Sequence, residues 1–315
     1  MKEEKSEHTP VLVEEVLEAF AAGEPREALS GDVVDGTAGA GGHARALLDA
    51  FPNVRVIAVD RDPEALELAR DALAGYGARA VLARGRLSAL EEILERIGVE
   101  RLVGFLVDLG ASSMQLGRPE RGFSFTNDGP LDMRMGPDER RTAADIVNTW
   151  DEADLADLFF HEGGERRSRR IARAIVEGRR RAPFLRTLAL ADAIERAVGR
   201  GGKTHAATRT FQALRRAVNQ EGEELRQALL LAEAELVPGG RLVALTFHSG
   251  EDGEVKRFLA RGAREGRWQL WNKRPLEPQR AEVRRNPRAR SARLRAAVRK
   301  NGLHAHPAPA AGGDA

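Results

Sequence analysis

The sequence contains no cysteine. This absence excludes disulfide bonds, thiolate metal ligands and cysteine nucleophiles, and a reducing cytoplasm is the simplest compartment. The chain also lacks an apolar run long enough to span a membrane, and its opening residues, MKEEK, do not resemble a secretory signal. Aromatic residues make up only 5% of the chain and charged residues 31%, which is typical of a soluble protein of one or two domains.

The net charge of the whole chain is small, but basic residues are concentrated in one segment. The formal net charge is only +2, yet residues 256–300 hold 16 Lys or Arg against three acidic residues. Such an asymmetry indicates a polyanionic partner. Within this segment, the run at residues 286–295 favours contact with RNA, and a second arginine-rich run at 165–173 is typical of either a phosphate-binding or a solvated helix face.

The most informative stretch is residues 33–43, which read VVDGTAGAGGH. Two valines predict the end of a buried strand, and the glycines that follow allow close approach of a ligand to the backbone. A helical composition begins at once, so the order is strand, glycine turn, helix, as in nucleotide-type sites. Residues 39–44, which read GAGGHA, also fit the G-x-G-x-x-G/A pattern through Gly39, Gly41 and Ala44.

Asp60 ends the next apolar run, 19 residues after Gly41. An acidic residue at this spacing binds ribose hydroxyls in dinucleotide sites. S-adenosylmethionine needs the same acid and the same close backbone approach, so the spacing leaves both cofactor classes open.

Alternating strand and helix patterns continue to residue 107 and predict a parallel sheet with helices on both faces. Residues 110–137 then read as a long loop, 143–198 as helices, and 241–247 as a strand. The predicted fold class is therefore α/β, with a sheet interrupted by a helical insertion. Residues 268–271 and 291–298 are expected to close the sheet as antiparallel strands.

Asp35, Asp60 and Asp108 each follow a predicted strand, so they converge at one sheet edge, where ligands bind in open α/β folds. Each buried carboxylate needs a partner there, which favours a role in binding or catalysis over a capping role for Asp108. Phe123 and Phe125 lie on the loop that follows, where their rings predict either stacking on a base or burial as loop anchors. His248 follows the later strand and is predicted to be either catalytic or a hydrogen-bond partner.

The chain closely resembles the MraW/RsmH family of S-adenosylmethionine-dependent methyltransferases. The resemblance covers nearly the whole chain in order. The matching runs are HTPVL at 8–12, DGT at 35–37, GGH at 41–43, DRDP at 60–63, DLG at 108–110, SS at 112–113, QL at 115–116, RGFSF at 121–125, GPLDMRM at 129–135, GE at 164–165, RIA at 170–172, ATRTFQAL at 207–214, FHS at 247–249 and NPRARS at 286–291.

The resemblance implies a Rossmann-like class I methyltransferase sheet and methylation of the N4 amine of a cytidine in 16S ribosomal RNA. Its cofactor would be S-adenosyl-L-methionine, with no metal. Leu87 stands where the family usually has Phe, and Gly250 and Gly253 depart from the family's F-H-S-L-E-D-R. Together with the residues above, the predicted cofactor-binding set is Asp35, Gly39, Gly41, Gly42, His43, Asp60, Leu87, Asp108 and Gln115, and the predicted catalytic set is Asp108, Phe123, Phe125 and His248.

The expected organisation is a methyltransferase domain at residues 1–137 and 208–302, a helical substrate-recognition domain at 138–207, and a disordered tail at 303–315. The implied partner is 16S ribosomal RNA in the small subunit, without a membrane, and a homodimer stays open. Two other functions remain as alternatives: an RNA-binding assembly factor with a vestigial cofactor site, and a dinucleotide-dependent oxidoreductase.

Overall fold

The computed structural model describes residues 10–200 and 205–300. The predicted tail at 303–315 lies outside these residues. Seven strands in the described part form one sheet. They are β1 (Gly31–Asp35), β2 (Val54–Asp60), β3 (Ala80–Arg84), β4 (Leu102–Asp108), β5 (Leu236–Thr246), β6 (Trp268–Leu270) and β7 (Arg293–Arg299).

Helices surround the sheet and fill the segment between β4 and β5. They are α1 (Val13–Ala21), α2 (Gly42–Ala50), α3 (Pro63–Leu73), α4 (Leu90–Ile97), α5 (Ser113–Gly117), α6 (Ala143–Thr149), α7 (Glu152–His161), α8 (Ser168–Arg179), α9 (Thr187–Val198), α10 (Thr208–Val218), α11 (Glu221–Glu235), α12 (Ser249–Arg264) and α13 (Arg280–Arg285). None of the described helices is both long and apolar enough to cross a membrane.

The strand order is β3-β2-β1-β4-β5-β7-β6. The first five strands are parallel, and β7 runs antiparallel to both β5 and β6. The predicted α/β fold class and its antiparallel closing strands are thus confirmed. From β1 the chain adds β2 and β3 on one side and then β4 and β5 on the other, so the strand order switches between β1 and β4. Doubly wound sheets bind their ligands at this switch point.

Local sequence explains several element ends. Pro63 occupies the first turn of α3, and the Asp62 side chain accepts a hydrogen bond from the Glu64 N–H at 3.1 Å, as expected of an N-cap. The break between α10 and α11 falls at Asn219 and Gln220, because Gln220 adopts a left-handed φ of 52°. β5 begins before the predicted strand at 241–247, and its register against β4 shifts in this earlier part.

Three apolar clusters form the core. One covers the sheet face that carries α1 and α2, with Phe20 and Phe51 fully buried. A second covers the opposite face beneath α4, α11 and α12 and includes Phe105. The sheet is therefore sealed on both faces, as a parallel sheet requires.

The third cluster belongs to the helical segment and has its own core. It contains residues from α6 to α9, but also Phe123 before that segment and Phe211, Leu214 and Val218 from α10. The domain boundaries at 138 and 207 remain predictions, and this packing leads us to propose that the helical unit extends from about Phe123 to Val218.

Buried ion pairs join this unit to the sheet. Arg61, one residue beyond β2, donates to Glu139 Oε1 at 2.9 Å and to the Asn219 carbonyl at 3.0 Å. Asn219 in turn donates to the Met133 carbonyl and accepts from the Met135 N–H, both at 2.8 Å. The loop after β2 is thus fixed against the start and the end of the helical unit.

Phe123 is 7% exposed within the helical core, so Phe123→Ala should lower the free energy of unfolding by about 3–5 kcal/mol. Phe160→Ala is the matched control, because that ring is 51% exposed on α7 and its loss should change stability by less than about 0.5 kcal/mol. Urea denaturation of both variants measures the difference. Equal stability of the two variants would contradict the packing role of Phe123.

Candidate active site

A cavity of about 340 Å³ opens at the carboxyl ends of β1, β2 and β4. This volume lies within the range of small-molecule sites. Its walls come from the glycine turn after β1, the loops after β2, β3 and β4, and the segment before α1. The end of β5, α10 to α12 and the loop after α13 complete it.

The glycine turn brings the backbone to the cavity. Gly41 caps α2 with φ +83°, a conformation that side chains rarely adopt. A Cβ on Gly41 would also lie 3.2 Å from the Ala69 Cα of α3. Gly41 itself is not part of the cavity wall, whereas Gly39 and Gly42 are. Gly41 therefore serves the close packing of α3 on the turn that its neighbours present to the ligand.

Asp60 fixes this turn from the neighbouring strand. Its carboxylate accepts the Gly39 N–H at 2.8 Å through Oδ2 and the Asp62 N–H at 2.9 Å through Oδ1. Burial raises the pKa of Asp60, while these two N–H groups act in the opposite direction. Each oxygen keeps further lone pairs for hydroxyl donors.

Asp35 lies below the turn rather than in the cavity wall. It is 1% exposed, Oδ1 accepts from the Thr37 N–H at 3.2 Å, and Oδ2 has no hydrogen-bond partner in the described residues. Burial raises the pKa of Asp35 to about 7, against the lowering effect of His43. The predicted contact with a cofactor is untested, and this position favours a supporting role.

His43 connects the turn to the chain's first described residues. Its Nε2 lies 2.9 Å from the Val11 carbonyl, which can only accept, so Nε2 carries the hydrogen. Burial lowers the pKa of His43, which keeps the ring neutral and leaves a lone pair on Nδ1. Glu282 of α13 accepts the Leu12 N–H at 2.8 Å. Residues 10–12 are therefore held by hydrogen bonds to His43 on one side and to Glu282 on the other.

Asp108 lies at the end of β4 and lines the cavity. Its Oδ2 lies 3.5 Å from His43 Nδ1, and its backbone N–H donates to Thr37 Oγ1 at 2.6 Å. Oδ1 is buried without a hydrogen-bond partner within residues 10–200 and 205–300. Burial, and then the nearby Glu251, raise the pKa of Asp108 to about 7. Such a carboxyl can lose or gain a proton near neutral pH.

Gln115 and Leu87 also line the cavity. Gln115 forms a capping box with Ser112 at the start of α5, and its Nε2 donates to Asp62 Oδ2 at 2.9 Å. Leu87 is 6% exposed and provides an apolar wall. The structure thus brings seven of the nine predicted cofactor-binding residues to one cavity, all except Asp35 and Gly41.

Comparison with known proteins identifies the family. A family model described as the MraW methylase family matches residues 5–300. The chain belongs to the MraW methylase family. A relative from Methylobacterium sp. (strain 4-46), named ribosomal RNA small subunit methyltransferase H, is 50% identical over 93% of this chain and 90% of its own length. A relative of the same name from Cereibacter sphaeroides (strain KD131 / KCTC 12085) is 50% identical over 94% and 91%.

A solved structure of an rRNA methylase from Streptococcus thermophilus is similar at a TM-score of 0.41 and 12% identity, over 90% of this chain and 93% of that chain. Methyltransferases of the MraW family use S-adenosylmethionine. The residues present suit this molecule. Asp60 would offer acceptors to the ribose hydroxyls, and Leu87 would offer an apolar surface to the adenine ring.

The other predicted catalytic residues lie outside the cavity wall. Phe123 is buried in the helical core, and the Phe125 ring packs 4.7 Å from His205 and 4.8 Å from Phe211 between centroids. His248 caps α12, its Nδ1 accepting the Gly250 N–H at 3.1 Å. Their catalytic roles remain untested. The packing favours the alternative interpretations, in which the rings anchor a loop and His248 is a hydrogen-bond partner.

Sequence reasoning missed several residues that the MraW-family fold brings to the cavity. These are Val11, Arg215, Glu221, Glu224 and Phe247, which line the cavity from distant parts of the chain. Arg215 looked like one of many surface arginines, and no local motif distinguished it. Glu251 also lines the cavity, and its Oε1 accepts a hydrogen bond from Arg216 Nη1 at 2.6 Å.

Asp60→Ala should weaken S-adenosylmethionine binding by about 1.5–3 kcal/mol, the value of a hydrogen bond to a charged group. Asp60→Asn, which preserves side-chain volume, should weaken it in the same direction. Isothermal titration calorimetry measures both. Asp71→Ala is the matched control, since Asp71 lies exposed on α3. Unchanged affinity in both Asp60 variants would remove this residue from the cofactor site.

Proposed function

We propose that this protein transfers a methyl group from S-adenosylmethionine to the N4 amine of a cytidine in 16S ribosomal RNA. The chemical part of the proposal, the activation of the amine, rests on one observation. Asp108, which ends β4 beside the glycine turn, holds a buried carboxylate oxygen without a partner in the described residues. The names of the curated relatives supply the substrate, small-subunit ribosomal RNA.

The exocyclic amine of cytosine is a weak nucleophile because its lone pair is delocalised into the ring. Bound S-adenosylmethionine supplies an electrophilic methyl group on a sulfonium centre. The Asp108 carboxylate would accept a hydrogen bond from the amine, which localises the lone pair on N4. As the new N–C bond forms and the methyl–sulfur bond breaks to leave S-adenosylhomocysteine, the amine gives one proton to Asp108, which later releases it to solvent.

Thr37 holds Asp108 for this task, because its Oγ1 accepts the Asp108 backbone N–H at 2.6 Å. His43 Nδ1 lies 3.5 Å from Asp108 Oδ2 but carries no hydrogen to donate, so it does not occupy the carboxylate. Positioning of this kind is a large part of catalysis when the nucleophile is weak.

The RNA would approach over the basic segment after α12. Arg284, Arg285, Arg288 and Arg290 are exposed there, and Arg288 also belongs to the cavity wall. Two other arginines of the predicted run at 286–295 serve the fold instead. Arg295 donates to Asp252 Oδ1 at 2.7 Å, and Arg293 to Asp252 Oδ2 at 3.3 Å.

The helical unit would provide a second RNA surface. Arg166, Arg169 and Arg170 are exposed at the start of α8, and no ion pair within the described residues involves them. This supports the proposed role of the unit in substrate recognition. We further propose that the substrate is the small subunit in the cytoplasm, where ribosomes are assembled. A homodimer remains a prediction that the mass in solution would test.

Neither alternative function gains support from the site. Membership of a methylase family argues against a dinucleotide-dependent oxidoreductase. The case for a vestigial site depended on Gly250 and Gly253, but both lie in the first turns of α12 and neither lines the cavity. Incubation with small ribosomal subunits and S-adenosylmethionine, followed by mass spectrometry of the digested RNA, tests turnover. Failure to form N4-methylcytidine would overturn the proposal.

Asp108 must be ionised to accept the N4 proton. Since its pKa is raised to about 7, first by burial and then by Glu251, protonation below that pH should reduce kcat/KM by about tenfold per pH unit, with a plateau above it. Asp108→Asn should lose most turnover together with this acidic limb. Initial rates between pH 5.5 and 8.5 measure the effect.

Asp35→Asn is the control for this profile, because the pKa of Asp35 is also raised by burial to about 7 but its side chain does not line the cavity. This variant should keep the acidic limb. If Asp35→Asn abolished the limb and Asp108→Asn retained it, Asp108 would not be the proton acceptor.

Replacing Arg288 and Arg290 with Gln should weaken RNA binding and reduce the slope of log affinity against log salt by about 1–2, since two phosphate contacts are lost. Filter binding at several salt concentrations measures the slope. Arg226→Gln is the control, because Arg226 is an exposed arginine on α11 that pairs with Glu223. Because Arg290 lies outside the cavity wall, Arg290→Gln alone should leave cofactor affinity unchanged. An unaltered salt slope in the double variant would show that neither arginine contacts phosphate.

A further inference from the structure

One wall of the cavity has no role in the reaction as described so far. It comes from α10, from the start of α11 and from the residue that follows β5, and its main members are Arg215, Glu221 and Phe247. These residues come from the helical unit and from the sheet. The wall therefore forms only where the two parts of the fold meet.

Arg215 is held rigidly in this wall. Its Nε and Nη2 donate to the two carboxylate oxygens of Glu221, each at 2.8 Å. The side chain is 18% exposed, and Nη1 has no hydrogen-bond or ion-pair partner within the described residues. A bidentate pair of this kind fixes the plane of the guanidinium. It leaves one donor nitrogen in a defined orientation.

Gly110 shows where that nitrogen lies. A Cβ on Gly110 would be 3.9 Å from Arg215 Nη1 and 3.7 Å from Cδ2 of the Phe247 ring. Gly110 is two residues after Asp108 and has φ +116°. The strand ends are in register here, because the Leu109 N–H donates to the Leu245 carbonyl at 3.1 Å. The ring and the guanidinium therefore both lie beside Gly110, where no side chain separates them, and they line the same cavity as Asp108.

We propose that Arg215 and Phe247 form the subsite for the target base. The Phe247 ring stacks on the base, and Arg215 Nη1 donates to its ring nitrogen or its carbonyl oxygen. This inference depends on the proposed function, and it adds the means by which cytosine would be selected.

The chemistry of the two groups fits cytosine better than uracil. Cytosine presents an amine donor at N4 beside acceptors at N3 and O2, whereas uracil presents a carbonyl at position 4 and an N–H at N3. Asp108 accepts and an arginine can only donate, so the pair complements the cytosine edge. Enzymes that act on an unstacked base read it in this way, through its hydrogen-bonding edge and an aromatic face.

Two variants test the subsite. Arg215→Lys keeps a positive charge beside Glu221 but loses the planar third nitrogen. Phe247→Leu keeps an apolar side chain but loses the stacking face. Each should lower kcat/KM for small ribosomal subunits roughly tenfold to hundredfold, the range for loss of one stacking contact. The affinity for S-adenosylmethionine should stay within about twofold of the wild-type value, a bound set by the calorimetric error.

Arg226→Lys provides the matched control, since Arg226 on α11 also donates through Nε and Nη2 to one glutamate, Glu223, but lies outside the cavity. It should behave as wild type. Melting temperatures of all variants identify any loss of folding. If Phe247→Leu unfolds, the result for Arg215→Lys alone decides whether the proposed base subsite stands.

Base selection is measured without turnover. Small-subunit RNA fragments that carry cytidine or uridine at the methylated position compete for the protein bound to S-adenosylhomocysteine. Wild type should prefer the cytidine fragment, and Arg215→Lys should lose most of this preference. Equal preference in both proteins, with unchanged kcat/KM, would overturn the subsite. A wild type that forms no N4-methylcytidine but retains an Arg215-dependent preference would overturn the proposed reaction alone.

Discussion

The site depends on how three carboxylates at neighbouring strand ends avoid mutual repulsion. Asp35, Asp60 and Asp108 would repel one another and lose hydration if all were ionised without partners. Asp60 receives two backbone N–H groups. Burial raises the pKa of both Asp35 and Asp108 to about 7, but only Asp108 lines the cavity. We therefore expect three different roles at this sheet edge: binding for Asp60, support of the turn for Asp35 and proton transfer for Asp108.

The second constraint is attachment of the helical unit to this edge. Arg61 follows Asp60 directly, and its guanidinium contacts Glu139, Glu224 and the Asn219 carbonyl. Removing one partner from such a buried network leaves an uncompensated charge, which is strongly unfavourable. The network thus aligns the two parts of the protein across the cavity.

Much of this could be predicted from the sequence. The glycine turn, Asp60 and Asp108 were found because strand, turn and helix are consecutive in the chain, and the end of a parallel strand is a defined place in a sheet. The role of Phe123 was harder to predict, because an aromatic residue on a loop has the same sequence pattern whether it binds a base or fills a core. The role of His248 was harder to predict because a histidine after a strand can be catalytic or a hydrogen-bond partner. Arg215 could not be found locally. Its orientation depends on Glu221 across the break between α10 and α11, which only the folded chain specifies.

The contact between Leu12 and Glu282 has a thermodynamic consequence. Glu282 belongs to α13, within the basic segment, while Pro10 and Val11, which precede Leu12, line the cavity. A ligand resting on α13 and a ligand inside the cavity would therefore stabilise the same contact. By linkage, the free energy by which the first ligand favours binding of the second equals the free energy by which the second favours binding of the first.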